Sequence, residues 1–159
     1  FQPLGFRLGF RLLCDEDEAK DMVQETFVKV WLALGKYNGE CRFSTWIYKI
    51  TCNTCYDRLR SLYHSPLDNE ADYSVSVNIS SDDNVELAVV NKQLRELILR
   101  YTDELSPRQR LIFTLRDIEE LDVPEVQTIT GLSAGIIKTT LYLARKNIRN
   151  KMNQIDAGL

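Results

Sequence analysis

Two amphipathic helices separated by a short loop are predicted between Glu18 and Arg60, and this pair constrains the fold more than any other stretch of the chain. The first is predicted from about Glu16 to Lys36, and the second from about Ser44, its N-cap, to Arg60. Each has apolar residues at helical spacing and must therefore bury one face. The expected buried positions are Ala19, Met22, Val23, Phe27, Val30, Trp31 and Leu34, then Phe43, Trp46, Ile47, Ile50, Cys55 and Leu59.

Further helices are predicted on both sides of this pair. Residues 1–13 are apolar at a spacing that suits a helix packed on the pair. Residues 85–104 show another helical pattern with one apolar face. The Ser106-Pro107 dipeptide marks the start of a helix that extends to about Arg116, because serine caps helices and proline is tolerated in their first turn.

The C-terminal part has the pattern of a helix-turn-helix. A short helix is predicted at 123–130, followed by a tight Gly131-Leu132-Ser133 turn and a long helix over about 133–153. In this motif the second helix enters the major groove with its N-terminal residues at the base edges. From Ser133 to Lys151 the chain carries basic side chains and no acidic ones, which is the charge that phosphate binding requires.

The chain of 159 residues divides into two predicted helical domains. Residues 64–84 are rich in Ser, Asp and Asn and lack a helical period, which predicts a flexible linker. Most of the acidic excess lies in this middle part of the chain. The predicted fold is therefore all-α, with two small helical domains, 1–63 and 85–159, joined by a flexible acidic linker.

The charge balance bears on how such a chain reaches DNA. Its net charge is −3, whereas a protein that binds DNA alone is usually basic. The composition therefore favours weak DNA binding by the chain alone, or binding together with a larger partner. No apolar run approaches the ~20 residues that a membrane helix needs, so no membrane insertion is expected.

Cys52 and Cys55 form a CxxC pair, which is a pattern of zinc and redox sites. The only histidine is His64, and no second cysteine pair completes a ligand set. Both thiols lie in an amphipathic helix, where cysteine packs as a small hydrophobe. We therefore predict no metal and no cofactor, and reduced thiols that suit the cytoplasm. With no glycine-rich phosphate loop and no nucleophile–base set, the chain is not expected to be an enzyme.

Aromatic and basic residues are mixed in the predicted loop and in the second helix of the pair. Aromatic rings stack on unpaired bases and cations follow the phosphates, so this segment is a candidate surface for single-stranded nucleic acid. Phe43 and Trp46 are expected mainly in the core. Tyr48, Lys49 and Asn53 are the preferred contacts. The aromatic residues of this segment are Tyr37, Phe43, Trp46 and Tyr48, and its basic residues are Arg42, Lys49, Arg58 and Arg60.

Two sets of motifs resemble conserved regions of bacterial sigma factors, above all the short two-domain extracytoplasmic-function (ECF) class. The set that resembles sigma region 2 is Asp21-Met22-Val23-Gln24-Glu25-Thr26-Phe27, Phe43-Ser44-Thr45-Trp46, Asn53, Asp57 and Arg60. The set that resembles region 4 is Leu105-Ser106-Pro107-Arg108-Gln109-Arg110, Leu115-Arg116, Gly131 to Thr139 and Ala144-Arg145-Lys146. Together they cover most of the chain apart from the linker.

The resemblance implies a sigma factor that directs transcription initiation. Its implied partners are core RNA polymerase (the β′ clamp helices and the β subunit), promoter DNA and an anti-sigma factor. The implied polymerase-binding residues are Asp21, Gln24 and Glu25. Those implied for the −10 element are Asn38, Arg42, Tyr48, Lys49, Asn53 and Arg60. Those implied for the −35 element are Lys138, Thr139 and Tyr142 at base edges, and Arg116, Thr140, Arg145 and Lys146 at phosphates.

The sequence departs from the family pattern at several positions. Ile136 replaces a usual threonine, Thr140 a usual arginine and Leu143 a common basic residue. Glu120 takes the place of a frequent glycine, and Cys52 that of an arginine. Fewer charges on the DNA-facing helix imply weaker phosphate contact and leave the base preference open.

Two alternatives remain open at the level of the sequence. A stand-alone helix-turn-helix regulator would bind duplex DNA without polymerase and would make no use of the Asp21–Glu25 motif. An adaptor or anti-sigma protein built on a sigma scaffold would explain the missing charges at positions 140 and 143.

Overall fold

Seven α-helices account for most of the part of the chain that the structure describes. The computed structural model describes residues 2–63, 85–102 and 104–158, and all regular elements in these ranges are helical, as predicted. The predicted linker, 64–84, lies outside the described residues. No described helix has the length and apolarity needed to cross a membrane. The helices are α1 (Gln2–Leu13), α2 (Glu16–Ala33), α3 (Phe43–Tyr63), α4 (Val85–Thr102), α5 (Pro107–Phe113), α6 (Val123–Thr130) and α7 (Ala134–Ala157).

Local capping explains where α5, α6 and α7 begin and where α6 ends. Ser106 and Asp122 each form a capping box with the residue three positions later, at the starts of α5 and α6. The Ser133 hydroxyl accepts a hydrogen bond from the Ile136 amide at the start of α7. Gly131 ends α6 at φ 73°, the left-handed conformation that glycine adopts without a steric penalty. The predicted limits of the short helix and the predicted start of the long helix are therefore confirmed, whereas α7 continues to Ala157, beyond the predicted end near residue 153.

The start of α3 differs from the prediction. The Trp46 amide donates to the carbonyl of Arg42 at 3.0 Å, so the first turn begins there and Ser44 lies inside the helix. The predicted Ser44 N-cap is therefore wrong. The predicted helix up to Arg116 is also modified, because a short π-helical segment, Thr114–Ile118, follows α5. Glu120 then turns the chain at φ 57°, a left-handed conformation that suits the glycine implied for this position by the resemblance.

The first lobe is a bundle of α1, α2 and α3. Its interior is apolar and contains Leu8, Leu12, Met22 and Cys55, all almost completely buried. The helices α1 and α2 approach closely at Gly9, where an added Cβ would lie 2.5 Å from the Met22 methyl group. Glycine therefore permits this close approach without displacing the Met22 side chain, at a position where it lowers helix propensity.

The buried face of α2 is narrower than the sequence pattern predicted. Ala19, Met22 and Val30 are buried as expected. Phe27, Trp31 and Leu34 are exposed, and Trp31 is the extreme case at 77%. The predicted burial of these three side chains is wrong, because α1 and α3 cover only one side of the helix.

The second lobe is formed by α4 to α7 around its own apolar contacts. Ile112, Leu115, Val126 and Ile137 are buried completely or nearly so between α5, α6 and α7. α4 packs against α7 and also contacts α1 in the first lobe. The described residues thus contain two lobes that touch each other.

The contact between the lobes, called here the seam, combines apolar and charged interactions. α3 of the first lobe packs on α5 and α6 of the second, and buried residues of both lobes form a single apolar core. The nearly buried carboxylate of Glu119 forms ion pairs with Arg7, at 3.1 Å, and with Arg11. The Arg110 guanidinium donates to the carbonyls of Leu12 and Thr102, at 3.3 and 2.8 Å.

Glu119→Gln is expected to lower the free energy of unfolding by about 1–3 kcal/mol, because it removes charged hydrogen bonds from a nearly buried site. The matched control is Glu16→Gln, whose partner Lys20 is half exposed, so that the expected loss is at most about 0.5 kcal/mol. Urea unfolding followed by circular dichroism measures both. Equal losses in the two variants would contradict a special contribution of the seam.

Candidate functional site

One exposed face of α2 carries both carboxylates and large apolar side chains. Asp21, Gln24 and Glu25 are exposed and lie within about 100° of each other around the helix. The same face continues through Val28, Trp31 and Leu32, which are all exposed. We call these six residues the acidic–apolar face of α2.

The apolar half of this face was missed in the sequence, where Trp31 was assigned to the buried side. The sequence shows the angular position of these side chains but not whether that side of the helix is covered. Val28 and Leu32 are four and eight residues from Gln24, and therefore project from the same side of the helix. Glu25 pairs with Lys29 at 2.7 Å, an exposed contact that leaves the carboxylate accessible.

A polar stripe runs along the exposed side of α3. Arg42, just before the helix, and Lys49, Asn53 and Arg60 on it are all exposed and lie within about 40° of each other. Arg60 also packs over the ring of Tyr56, with 5.8 Å between the guanidinium carbon and the ring centroid. We call these four residues the polar stripe of α3.

Three aromatic rings cluster at the N-terminal end of this stripe. Tyr37 lies 5.3 Å from both Phe43 and Trp46, measured between ring centroids. Phe43 is exposed and Trp46 half-buried, so the expectation that both belong mainly to the core is wrong for Phe43. The adjoining loop is ordered by the Tyr37 hydroxyl, which donates to the Cys41 carbonyl at 2.6 Å. Asn38 accepts from the Glu40 amide at 3.2 Å.

Tyr48 does not join this surface. It points to the opposite side of α3 from the polar stripe and is only 9% exposed, in the core shared by the two lobes. Burial raises its pKa, and its hydroxyl has no hydrogen-bond partner among the described residues. As the structure stands, Tyr48 presents no free surface to a ligand, so its selection as a DNA contact needs correction.

Arg58 serves the packing of the first lobe. It forms a salt bridge with Glu18, and this hydrogen bond raises the Arg58 pKa. The pair joins α3 to α2 on a side of α3 away from the polar stripe. Arg58 therefore helps to hold the two helices together.

The long helix α7 exposes part of the predicted DNA-binding set. Lys138, Thr139, Tyr142 and Lys146 are exposed along its first four turns. The side facing the protein is formed by Ile137, Leu141 and Ala144, together with the nearly buried Thr140.

Three predicted phosphate contacts are used differently in the structure. Thr140 is buried because it faces the core, which leaves it no surface for a phosphate. The Arg116 guanidinium donates to the carbonyl of Leu121 and supports the turn before α6. Arg145 forms a two-pronged hydrogen bond with Asp117, at 2.8 and 2.6 Å, and this contact raises its pKa. Thr140 thus needs correction as a phosphate contact. Arg116, half-buried and bonded to Leu121, and Arg145, exposed and paired with Asp117, stay predictions.

The CxxC thiols are packed in the interior, as predicted. Cys52 and Cys55 are almost completely buried, and the Cys55 sulfur lies 3.3 Å from that of Met22. Burial raises the pKa of Cys52, and that of Cys55 to about 12. Within the described ranges, no three His, Cys, Asp or Glu side chains are grouped so as to hold a metal ion.

Comparison with known proteins accounts for both lobes. Residues 1–64 match the family model of sigma-70 region 2, and residues 95–148 match that of sigma-70 region 4. The ECF RNA polymerase sigma-E factor of Escherichia coli (strain K12) is 28% identical over 144 residues, spanning 87% of this chain and 75% of that protein. The chain belongs to the ECF class of the sigma-70 family. As a sigma factor, it directs transcription initiation.

Further relatives agree with this assignment. The ECF RNA polymerase sigma factor SigW of Bacillus subtilis (strain 168) is 24% identical over 163 residues, covering 94% of this sigma factor and 83% of SigW. Two solved structures share the fold. RpoE of Bartonella quintana, in complex with the anti-sigma factor NepR, has a TM-score of 0.63 at 22% identity, over 96% of this chain and 91% of that one. CnrH, in complex with the cytosolic domain of CnrY, has a TM-score of 0.67 at 18% identity, over 96% of this chain and 82% of CnrH.

The buried thiols are expected to resist alkylation. Iodoacetamide at pH 8 should modify the half-exposed Cys41 first, whereas Cys52 and Cys55 should react only after urea unfolds the chain, because the thiolate is the nucleophile. The pKa of Cys55 is higher in the folded chain than in the unfolded chain. Its contribution to stability is therefore complete below about pH 9 and is lost as the pH rises toward 12. Mass spectrometry identifies the modified residues. Modification of Cys52 as fast as Cys41 would contradict the buried position.

Proposed function

We propose that this sigma factor binds core RNA polymerase through the acidic–apolar face of α2. The observation that carries the proposal is the continuity of Asp21, Gln24 and Glu25 with exposed Trp31 and Leu32 on one face. A partner helix with basic and apolar side chains would gain carboxylate–cation hydrogen bonds at one end and apolar burial at the other. The family resemblance supports the β′ clamp helices as that partner.

The polar stripe of α3 is the proposed binding surface for the melted −10 strand. Lys49 and Arg60 offer charge to phosphates, and Asn53 between them offers an amide that can hydrogen-bond to a base edge. The aromatic cluster, with Phe43 exposed, supplies a stacking surface at the end of the stripe. Asn38 and Arg42 belong to the loop that would form the wall of a pocket for a flipped base.

The exposed side of α7 is the proposed contact with the −35 duplex. Lys138, Thr139, Tyr142 and Lys146 are accessible there, and the helix-turn-helix geometry directs the first turns of α7 to the major groove. Arg145 would contribute to phosphate binding only after exchanging its contact with Asp117.

Regulation by a protein partner belongs to the same proposal. One structural neighbour, RpoE of Bartonella quintana, is a sigma factor in complex with the anti-sigma factor NepR, and another, CnrH, is in complex with the cytosolic domain of CnrY. We propose that an anti-sigma factor holds this chain too, and that the chain acts in the cytoplasm by binding alone, without catalytic activity of its own. The proposed domains are residues 1–63 for polymerase and −10 binding and 85–159 for −35 binding, with 64–84 as the linker.

The native chain is expected to bind core RNA polymerase and to direct promoter-specific transcripts from a library of genomic fragments. Asp21→Lys with Glu25→Lys should abolish binding, because reversed charges repel the basic partner, while helix content stays unchanged. Glu96→Lys, an exposed acidic residue of α4, is the matched control and should bind normally. A pull-down and run-off transcription give the two readouts. Normal binding of polymerase by the double variant would contradict the proposed role of the acidic–apolar face of α2.

Lys138→Ala is expected to weaken binding to a −35 duplex in a sequence-dependent way, by about 1–3 kcal/mol, because a lysine at a base edge discriminates between bases. Binding of matched and scrambled duplexes to the polymerase-bound chain measures this. An equal loss on both duplexes would make Lys138 a phosphate contact.

A further inference from the structure

One edge of α7 is exposed but carries no charge. Ile136 and Leu143 are large apolar side chains with 44% and 41% of their surface exposed. They are seven residues apart and lie within about 20° of each other around the helix. Thr139, also exposed, lies beside them and adds a methyl group. We call these three residues the apolar edge of α7.

The apolar edge lies in the part of α7 that a helix-turn-helix presents to base edges. Ile136 is in the first turn, and Leu143 is about 10 Å further along the helix axis. That span corresponds to about three base-pair steps at 3.4 Å each. Both side chains can therefore reach bases in a single binding site.

The major groove offers one apolar group to such a surface, the C5 methyl group of thymine. We infer that the apolar edge of α7 recognises thymine methyl groups in the upstream promoter element, with Ile136 and Leu143 as its specificity-determining residues. The inference rests on the proposed contact of α7 with duplex DNA. It extends that proposal by naming the base that this edge selects.

The charges on α7 favour thymine over guanine at this edge. Guanine is most often recognised by arginine or lysine. Lys138 lies about 150° around the helix from Ile136 and Leu143, and the exposed Lys146 lies about 60–80° from them, three residues beyond Leu143. Arg145, which lies on the same side as Lys138, is held by Asp117. An apolar side chain opposite guanine or cytosine would desolvate polar groups without replacing their hydrogen bonds.

The test begins with the full-length chain bound to core RNA polymerase. Duplexes with a randomised upstream element are selected for binding, and each thymine of the selected site is then replaced singly by deoxyuridine. This exchange removes only the C5 methyl group. Burial of one methyl group contributes about 0.8 kcal/mol, so the expected effect is about a fourfold weaker Kd at one or two thymine positions.

Three single variants assign the effect to residues. Ile136→Ala and Leu143→Ala should each lose the difference between thymine and deoxyuridine at one position. Met152→Ala is the matched control, because Met152 is an apolar residue of the same helix, 46% exposed and beyond the proposed contact. It should keep the native thymine preference at every position.

The possible results separate the inference from the function on which it rests. Equal binding of thymine and deoxyuridine duplexes by the native chain, with the selected sequence still preferred, would overturn the inference and leave the proposed −35 contact intact. Unchanged methyl sensitivity in both alanine variants would also overturn it, because a group outside the apolar edge would then contact the methyl. Failure of selection to enrich any sequence would instead count against the proposed duplex contact itself.

Discussion

Burial of one side of α3 is the interaction on which both lobes depend. α1 and α2 cover this side from the first lobe, while α5 and α6 cover it from the second. Cys52 and Leu59 consequently belong to the same apolar core as Ile112 and Val126. Because apolar burial is the main favourable term in folding, this helix has little freedom to rotate about its axis. Its polar stripe is therefore fixed toward solvent, where a nucleic-acid strand can approach.

The seam that buries α3 also hides one of the residues expected to contact DNA. Tyr48 lies on the covered side, near the ion pairs that Glu119 forms with Arg7 and Arg11. A carboxylate with so little exposure is tolerated because two guanidinium groups compensate for its lost hydration. Contact of Tyr48 with DNA would require the lobes to separate, whereas the polar stripe is accessible in the arrangement observed.

The three candidate surfaces are the uncovered sides of helices whose other sides are packed. α2 leaves an acidic–apolar face, α3 a polar stripe, and α7 an apolar edge beside exposed lysines. Their different chemistries suit the three classes of ligand in the proposed complex: protein, single strand and duplex. The pairing of Arg145 with Asp117 lowers the free positive charge on α7. This agrees with the proposal that a chain of net charge −3 reaches DNA together with polymerase.

Most of the helices and their limits were determined by the sequence itself, because caps such as Ser106, Asp122 and Ser133 act on backbone groups within a few residues. The family motifs likewise identified two sigma regions. The sequence could not decide which side of α2 or α3 is covered, since apolar residues occur around more of each helix than one neighbour can bury. The exposure of Trp31 and the burial of Tyr48 were decided only by the tertiary structure, because burial depends on where distant helices pack and not on local spacing.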